Sequence, residues 1–67
     1  MEWKDRIKSR RLDLGLTLEK VAQAVGVSAA TISRWERGEI SSLNADKVAC
    51  LANVLQVTPD YLMGWEI

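Results

Sequence analysis

Apolar and polar residues recur along this chain at spacings of three and four, and no stretch shows the strict alternation of a half-buried strand. The pattern predicts an all-α fold of five helices. The first runs from about Trp3 to Leu14, with Ile7, Arg10, Arg11 and Leu14 on one face, and Gly15 ends it. The second starts after Thr17, whose hydroxyl can accept a free backbone N–H, and Glu19 in its first turn suits the helix dipole. Val21, Ala22 and Val25 form its apolar stripe, and Gly26 terminates it. The third follows Ser28 and reaches about Arg37, before Gly38. The fourth follows Asn44, carries Asp46 in its first turn, and buries Val48, Leu51, Ala52 and Leu55. The fifth is announced by Thr58-Pro59, a cap followed by proline at the first helical position. It carries Tyr61, Leu62 and Met63 and stops at Gly64. Residues 39–43 form the one loop of any length. Residues 1–64 read as a single domain, and 65–67 as a tail or the start of a linker.

Residues 18–37 hold the main signal. Two short predicted helices meet at the tight turn Gly26-Val27-Ser28. Ala22 stands four residues before Gly26, where the helices cross and a bulky side chain would force them apart. Gly26 can take a positive φ at little steric cost. Val21, Val25, Val27 and Ile32 are apolar where the helices face the core, and Ile32 follows Gly26 by six residues. This is the spacing of a helix-turn-helix whose second helix protrudes. That helix divides into two sides. Ile32, Trp35 and part of Glu36 face inward, while Ala29, Ala30, Ser33, Arg34 and Arg37 face outward. Small residues at its amino end permit close approach to base edges. Arg34 suits bidentate bonding to guanine O6 and N7, and Ala29 or Ala30 suits a thymine methyl. Thr31 stands at the boundary, within reach of a base or a phosphate. Thr17 and Ser28 cap helix amino ends, where backbone N–H groups bind phosphate. A glycine turn alone fits a plain helical hairpin with a solvated face; Ala22, Gly26, Ile32 and the two caps together are more specific.

A chain of 67 residues makes one domain and buries only a modest core. Cys50 is the only cysteine, so no internal disulfide forms, and with one thiol and no histidine a structural zinc site is not expected. Cys50 is expected to be a small core residue, and this thiol usage suits a reducing cytoplasm. The charged start, Met1 to Arg6, leads into no apolar targeting segment, and no apolar run approaches the roughly 18 residues of a membrane span. No enzyme, cofactor or metal is expected: the commonest general base is absent, Glu36 and Glu39 sit among arginines at a helix end, and the glycines are scattered.

Net charge bears on this picture in the opposite direction. Nine basic residues balance nine acidic ones, whereas nucleic-acid binders are usually basic. The charges are segregated, however. Lys4, Arg6, Lys8, Arg10, Arg11, Lys20, Arg34 and Arg37 precede Gly38, and only Lys47 follows it, against Glu39, Asp46, Asp60 and Glu66. This asymmetry points to a phosphate-facing amino-terminal half.

Three stretches, 16–22, 26–28 and 31–38 (LTLEKVA, GVS and TISRWERG), together resemble the lambda-repressor-like family, also called Cro/CI or XRE. Residues 51–62, LANVLQVTPDYL, resemble its fourth and fifth helices, and the likeness extends over about residues 4–64. Within the family, the chain most resembles the amino-terminal domain of phage CI-type repressors. The resemblance implies double-stranded DNA as ligand, two-fold operators bound by a homodimer, and a transcriptional regulator, most often a repressor, in a bacterial cytoplasm and of phage or prophage origin. Phage-type repressors commonly carry a further oligomerisation domain, without which a lone domain binds a full operator weakly.

The resemblance also assigns roles by position. Ala29, Ala30, Ser33 and Arg34 match base-reading positions of the recognition helix. Thr17 and Ser28 match phosphate-contacting caps. Arg37, Ser41, Ser42 and Asn44 match the loop and helix start that follow the DNA backbone. Arg11 and Glu36 match a structural salt bridge that supports phosphate contact. Leu18 stands where many relatives have a glutamine that orients a recognition-helix partner and touches phosphate. With Ala29 and Ala30 in place of polar readers, direct readout rests on Arg34, and DNA shape carries more of the specificity. The loop after Gly38 also lacks the basic residues common in relatives.

Other readings compete. Trp3, Trp35 and Trp65 raise base stacking on single strands, but Trp35 has the periodicity of a core residue. Leu62, Met63, Trp65 and Ile67 form an apolar cluster that either closes the core or offers a weak dimer surface. A protein-interaction module, such as an antitoxin or adaptor, is the alternative function; zero net charge favours it and Arg34 with Arg37 oppose it.

Overall fold

The computed structural model describes residues 3–40 and 43–64, with side chains from Asp5 onward. Among the described residues there are five helices and no strand: α1 (Trp3–Asp13), α2 (Leu18–Val25), α3 (Ala29–Glu36), α4 (Ala45–Val54) and α5 (Pro59–Met63). Each expected helix is present, with bounds shifted by a residue at most. None is long and apolar enough to cross a membrane.

Side-chain oxygens start four of the helices. Thr17, Ser28, Asn44 and Thr58 all have extended backbones and accept the N–H three residues on, at 2.9–3.2 Å. Each such cap is worth about 1 kcal/mol against alanine. The stops share one geometry. At the end of α2, Gly26 has φ 88°, and the Ala22 carbonyl accepts from both Gly26 N (2.8 Å) and Val27 N (3.0 Å). The end of α4 repeats this without glycine. Gln56 takes φ 59°, its N–H bonds to Asn53 O, and Val57 N bonds to Ala52 O at 3.0 Å. A left-handed non-glycine residue is strained, so α4 stops against its local preference.

α2 packs on α3 and α4, α1 packs on α3 and α5, and α4 packs on α5. The core joins Val21, Ala22 and Val25 of α2 to Ile32 and Trp35 of α3, Leu51 and Ala52 of α4 with Leu55 beyond its end, and Leu62 of α5. Trp35 is 1% exposed, as its periodicity predicted. Complete burial of Ile32, Leu51, Leu55 and Leu62 stabilises by about 1.5–3 kcal/mol each.

α1 is attached differently. Among its described side chains Ile7 is the only buried apolar one, and arginines make the other long-range contacts. Arg6 donates to the Tyr61 carbonyl, and its guanidinium lies 4.4 Å from the centroid of the Tyr61 ring. Arg10 Nε donates to the Leu55 carbonyl at 3.2 Å. Arg11 bonds to Glu36 and to the Leu16 carbonyl. Carbonyls near helix carboxyl ends carry partial negative charge, so cations are favourable there.

Two expectations are corrected. Cys50 is exposed, not core. It lies two residues after Val48 and one before Leu51, off the stripe that α4 buries. Leu62 and Met63 are buried, so their part of the carboxy-terminal cluster closes the core; Trp65 and Ile67 lie outside the described residues.

Candidate nucleic-acid interface

The turn 26–28 sets α3 against α2. Val21, Val25 and Ile32 are buried, and Val27 and Leu18 pack against the same core. Helix α3 therefore has one side fixed inward by Ile32 and Trp35. On the other side Ala30, Arg34 and Arg37 are exposed, while Ser33 and Thr31 are half-buried. Among the described residues the Arg34 side chain makes no hydrogen bond or ion pair, so all of its guanidinium N–H groups face solvent partners.

Ala29 departs from expectation. It is half-buried and packs against the core instead of standing on the open face. Cβ atoms tilt toward a helix's amino end, which carries the methyl of the first helical residue back over the preceding turn. Ala30, one position on, is exposed.

The amino ends of α2 and α3 are built alike. Ser28 Oγ accepts from Thr31 N at 3.2 Å and lies 2.9 Å from Thr31 Oγ1. That contact uses one of the two hydroxyl protons and leaves the other for an outside acceptor. At α2, Thr17 Oγ1 accepts from Lys20 N, which leaves the N–H groups of Leu18 and Glu19 at the open end of the helix. The Leu18 side chain packs inward, so the group it offers an anion is its backbone N–H. Asn44, exposed, caps α4 in the same way through Lys47 N at 2.9 Å. Ser41 and Ser42, expected to follow the DNA backbone, lie outside the described residues.

Arg11 and Glu36 are brought together as the resemblance implied. Arg11 Nε lies 2.6 Å from Glu36 Oε2, a terminal nitrogen lies 3.3 Å from Oε1, and the other donates to Leu16 O at 3.0 Å. With only 9% of its surface exposed and its guanidinium bonded to Glu36 and Leu16, Arg11 has the positioning place that the resemblance gave it.

The charge asymmetry of the sequence also takes a different meaning. Arg6, Arg10 and Arg11 are engaged within the fold, and Lys47 Nζ lies 3.5 Å from the Val25 carbonyl at the end of α2. Basic residues of the amino-terminal half are therefore not one phosphate-facing side. The exposed basic residues on α2 and at α3 are Lys20, Arg34 and Arg37. Arg37 in turn pairs with Glu39 at 3.1 Å, a contact the sequence reading missed. Among the described residues no group of three or more His, Cys, Asp or Glu is arranged to hold a metal ion.

Residues 7–62 match the helix-turn-helix family HTH_3. The chain belongs to this helix-turn-helix family. Repressor protein C2 of Salmonella phage P22 is 39% identical over 63 residues, covering 94% of this chain and 29% of that protein. The HTH-type transcriptional activator BcrR of Enterococcus faecalis is 32% identical over 66 residues, 98% of this chain and 32% of that protein. The chain thus spans less than a third of the length of either relative. A crystal structure of the P22 c2 repressor in complex with a synthetic operator superposes with a TM-score of 0.88 at 35% identity, covering 98% of both chains. The expected five-helix repressor-like fold is borne out by this match.

Proposed function

We propose that this helix-turn-helix domain binds double-stranded DNA in a sequence-dependent manner and serves as a transcriptional regulator, in the manner of a phage-type repressor. The observation that carries the reading is the division of α3. Ile32 and Trp35 are buried on one side, and Ala30, Arg34 and Arg37 are exposed on the other, with no side-chain partner for Arg34 among the described residues. The P22 c2 repressor, which shares the fold, is seen on an operator, and this likeness supports the same class of ligand here.

In this mechanism the exposed side of α3 enters the major groove. Arg34 donates to guanine O6 and N7, a pair worth roughly 1–3 kcal/mol of discrimination. Ala30 meets a thymine methyl, Ala29 offers only part of its methyl, and Ser33 is a further base-edge contact. The amino ends of α2 and α3, with the hydroxyls of Thr17, Ser28 and Thr31, receive phosphate oxygens. Arg37, Ser41, Ser42 and Asn44 follow the backbone beyond the recognition helix. Two copies read half-sites about 34 Å apart, one helical turn, on one face of the duplex. Duplex titration of the labelled chain, followed by amide NMR shifts, tests the surface. Changes centred on residues 17–20, 28–37 and 44 support it, and changes confined to α1 and α5 contradict it.

One observation favours a protein partner instead. The guanidinium groups of α1 are engaged within the fold, which leaves a small basic footprint. Salt separates the two readings, because phosphate-driven binding weakens steeply as salt rises.

A further inference from the structure

Recognition helix α3 ends at Glu36, and the chain then turns sharply. Gly38 has φ 90°, its N–H donates to Trp35 O at 3.0 Å, and Glu39 N donates to Arg34 O at 2.9 Å. These bonds fix where the Glu39 side chain leaves the backbone. It leaves beside Arg37, and the two form an ion pair, Nε to Oε2, at 3.1 Å. Both side chains are open to water, at 63% and 62% exposure. The pair is therefore held by the turn and not by burial, and it can exchange partners freely.

We propose that Glu39 is an internal competitor for Arg37, standing in for a DNA phosphate and setting how much of that arginine's charge reaches the duplex. The inference rests on the DNA-binding reading above and adds a residue which that reading does not use. Arg37 reaches a phosphate by leaving Glu39, and the freed carboxylate then stands close to a second negative charge. Both effects oppose binding, and neither depends on base sequence. Glu39 thereby lowers affinity for every duplex alike, so the base contacts of Arg34 contribute a larger share of the total. This bears on specificity, since backbone attraction dominates non-specific association.

The test is a Glu39→Gln variant of the full chain, with Arg37→Ala, the double variant, and Asp60→Asn as a control. Asp60 is exposed, lies in the first turn of α5, and changes net charge by the same amount. Glutamine keeps the backbone N–H that bonds to Arg34 O, and a thermal melt of each variant confirms folding. Binding to a short mixed-sequence duplex is measured from about 20 to 200 mM salt, a range over which phosphate contacts weaken strongly. Glu39→Gln is expected to tighten binding roughly three- to tenfold at the low end and to steepen the log–log salt slope by up to about 0.9, the value of one added phosphate contact. Arg37→Ala is expected to remove the part of that gain that comes from competition, leaving only the smaller part due to repulsion by the carboxylate. Equal gains from Glu39→Gln and Asp60→Asn overturn the proposal, as does an Arg37→Ala loss that is the same with and without Glu39. Absence of duplex binding by every form, at the lowest salt, overturns the DNA-binding reading itself and this inference with it.

Discussion

Arg11 and Glu36 fasten the carboxyl end of α1 to the last residue of α3 through two nitrogen–oxygen contacts, at 2.6 and 3.3 Å. The same guanidinium donates to Leu16 O at 3.0 Å, so one side chain ties α1, the link to α2, and α3 together. The side chains are only 11% and 8% exposed. Removing one partner leaves the other charge poorly solvated, which matters more than the attraction lost.

Arg11→Ala and Glu36→Ala are each expected to destabilise the domain by about 3 kcal/mol in chemical denaturation. The pair Arg11→Met with Glu36→Leu should lose clearly less than the two single losses added together. Single losses below about 0.5 kcal/mol, the level of ordinary surface changes, would contradict a positioning role.

Two helix stops make opposite predictions. Beyond its chain neighbours, no atom of the described residues stands within 4 Å of a Cβ added at Gly26, so Gly26→Ala meets no clash and is penalised by its φ of 88°. A loss of about 1–2 kcal/mol is expected. Gln56→Gly relieves the same strain at the end of α4 and should raise stability by about 0.5–1 kcal/mol, after the greater freedom of glycine in the unfolded chain is deducted. Thermal melts of the two variants that move in the same direction would refute this account of the turns.

These two turns show what the chain's pattern reveals and what it hides. Thr17, Ser28, Asn44 and Thr58 were legible as helix starts, because a short polar side chain before a periodic apolar run has few other uses. Gly15, Gly26 and Gly64 were legible as stops. Gln56 was not, since glutamine carries no turn signal and takes its left-handed conformation from the packing of Val57 and Leu55. Small residues were ambiguous for a related reason. Ala29 and Cys50 fit either side of a helix, and neighbours distant in sequence decide which side is covered.

The long cations of α1 were the least legible part of the site. Nothing local tells whether a guanidinium extends into water or folds onto a carbonyl 45 or 55 residues away, as those of Arg10 and Arg6 do. Arg10→Gln is accordingly expected to lower stability by about 1 kcal/mol, the net value of a typical hydrogen bond, while leaving the salt slope of duplex binding unchanged. Arg34→Gln should do the reverse, with stability within about 0.5 kcal/mol of the parent and weakened DNA binding. Denaturation and salt titration on the same two variants check both halves. A reduced slope in Arg10→Gln would return α1 to the phosphate-facing side.

The central claim is that the exposed side of α3 reads base sequence through Arg34. Selection from a randomised duplex pool, run on the parent chain and on Arg34→Ala, tests it most directly. The account predicts enrichment of two related half-sites about one helical turn apart, with a guanine preference that relaxes in Arg34→Ala while the fold remains intact. An identical guanine preference in both proteins, or no enrichment at the lowest salt, would contradict it.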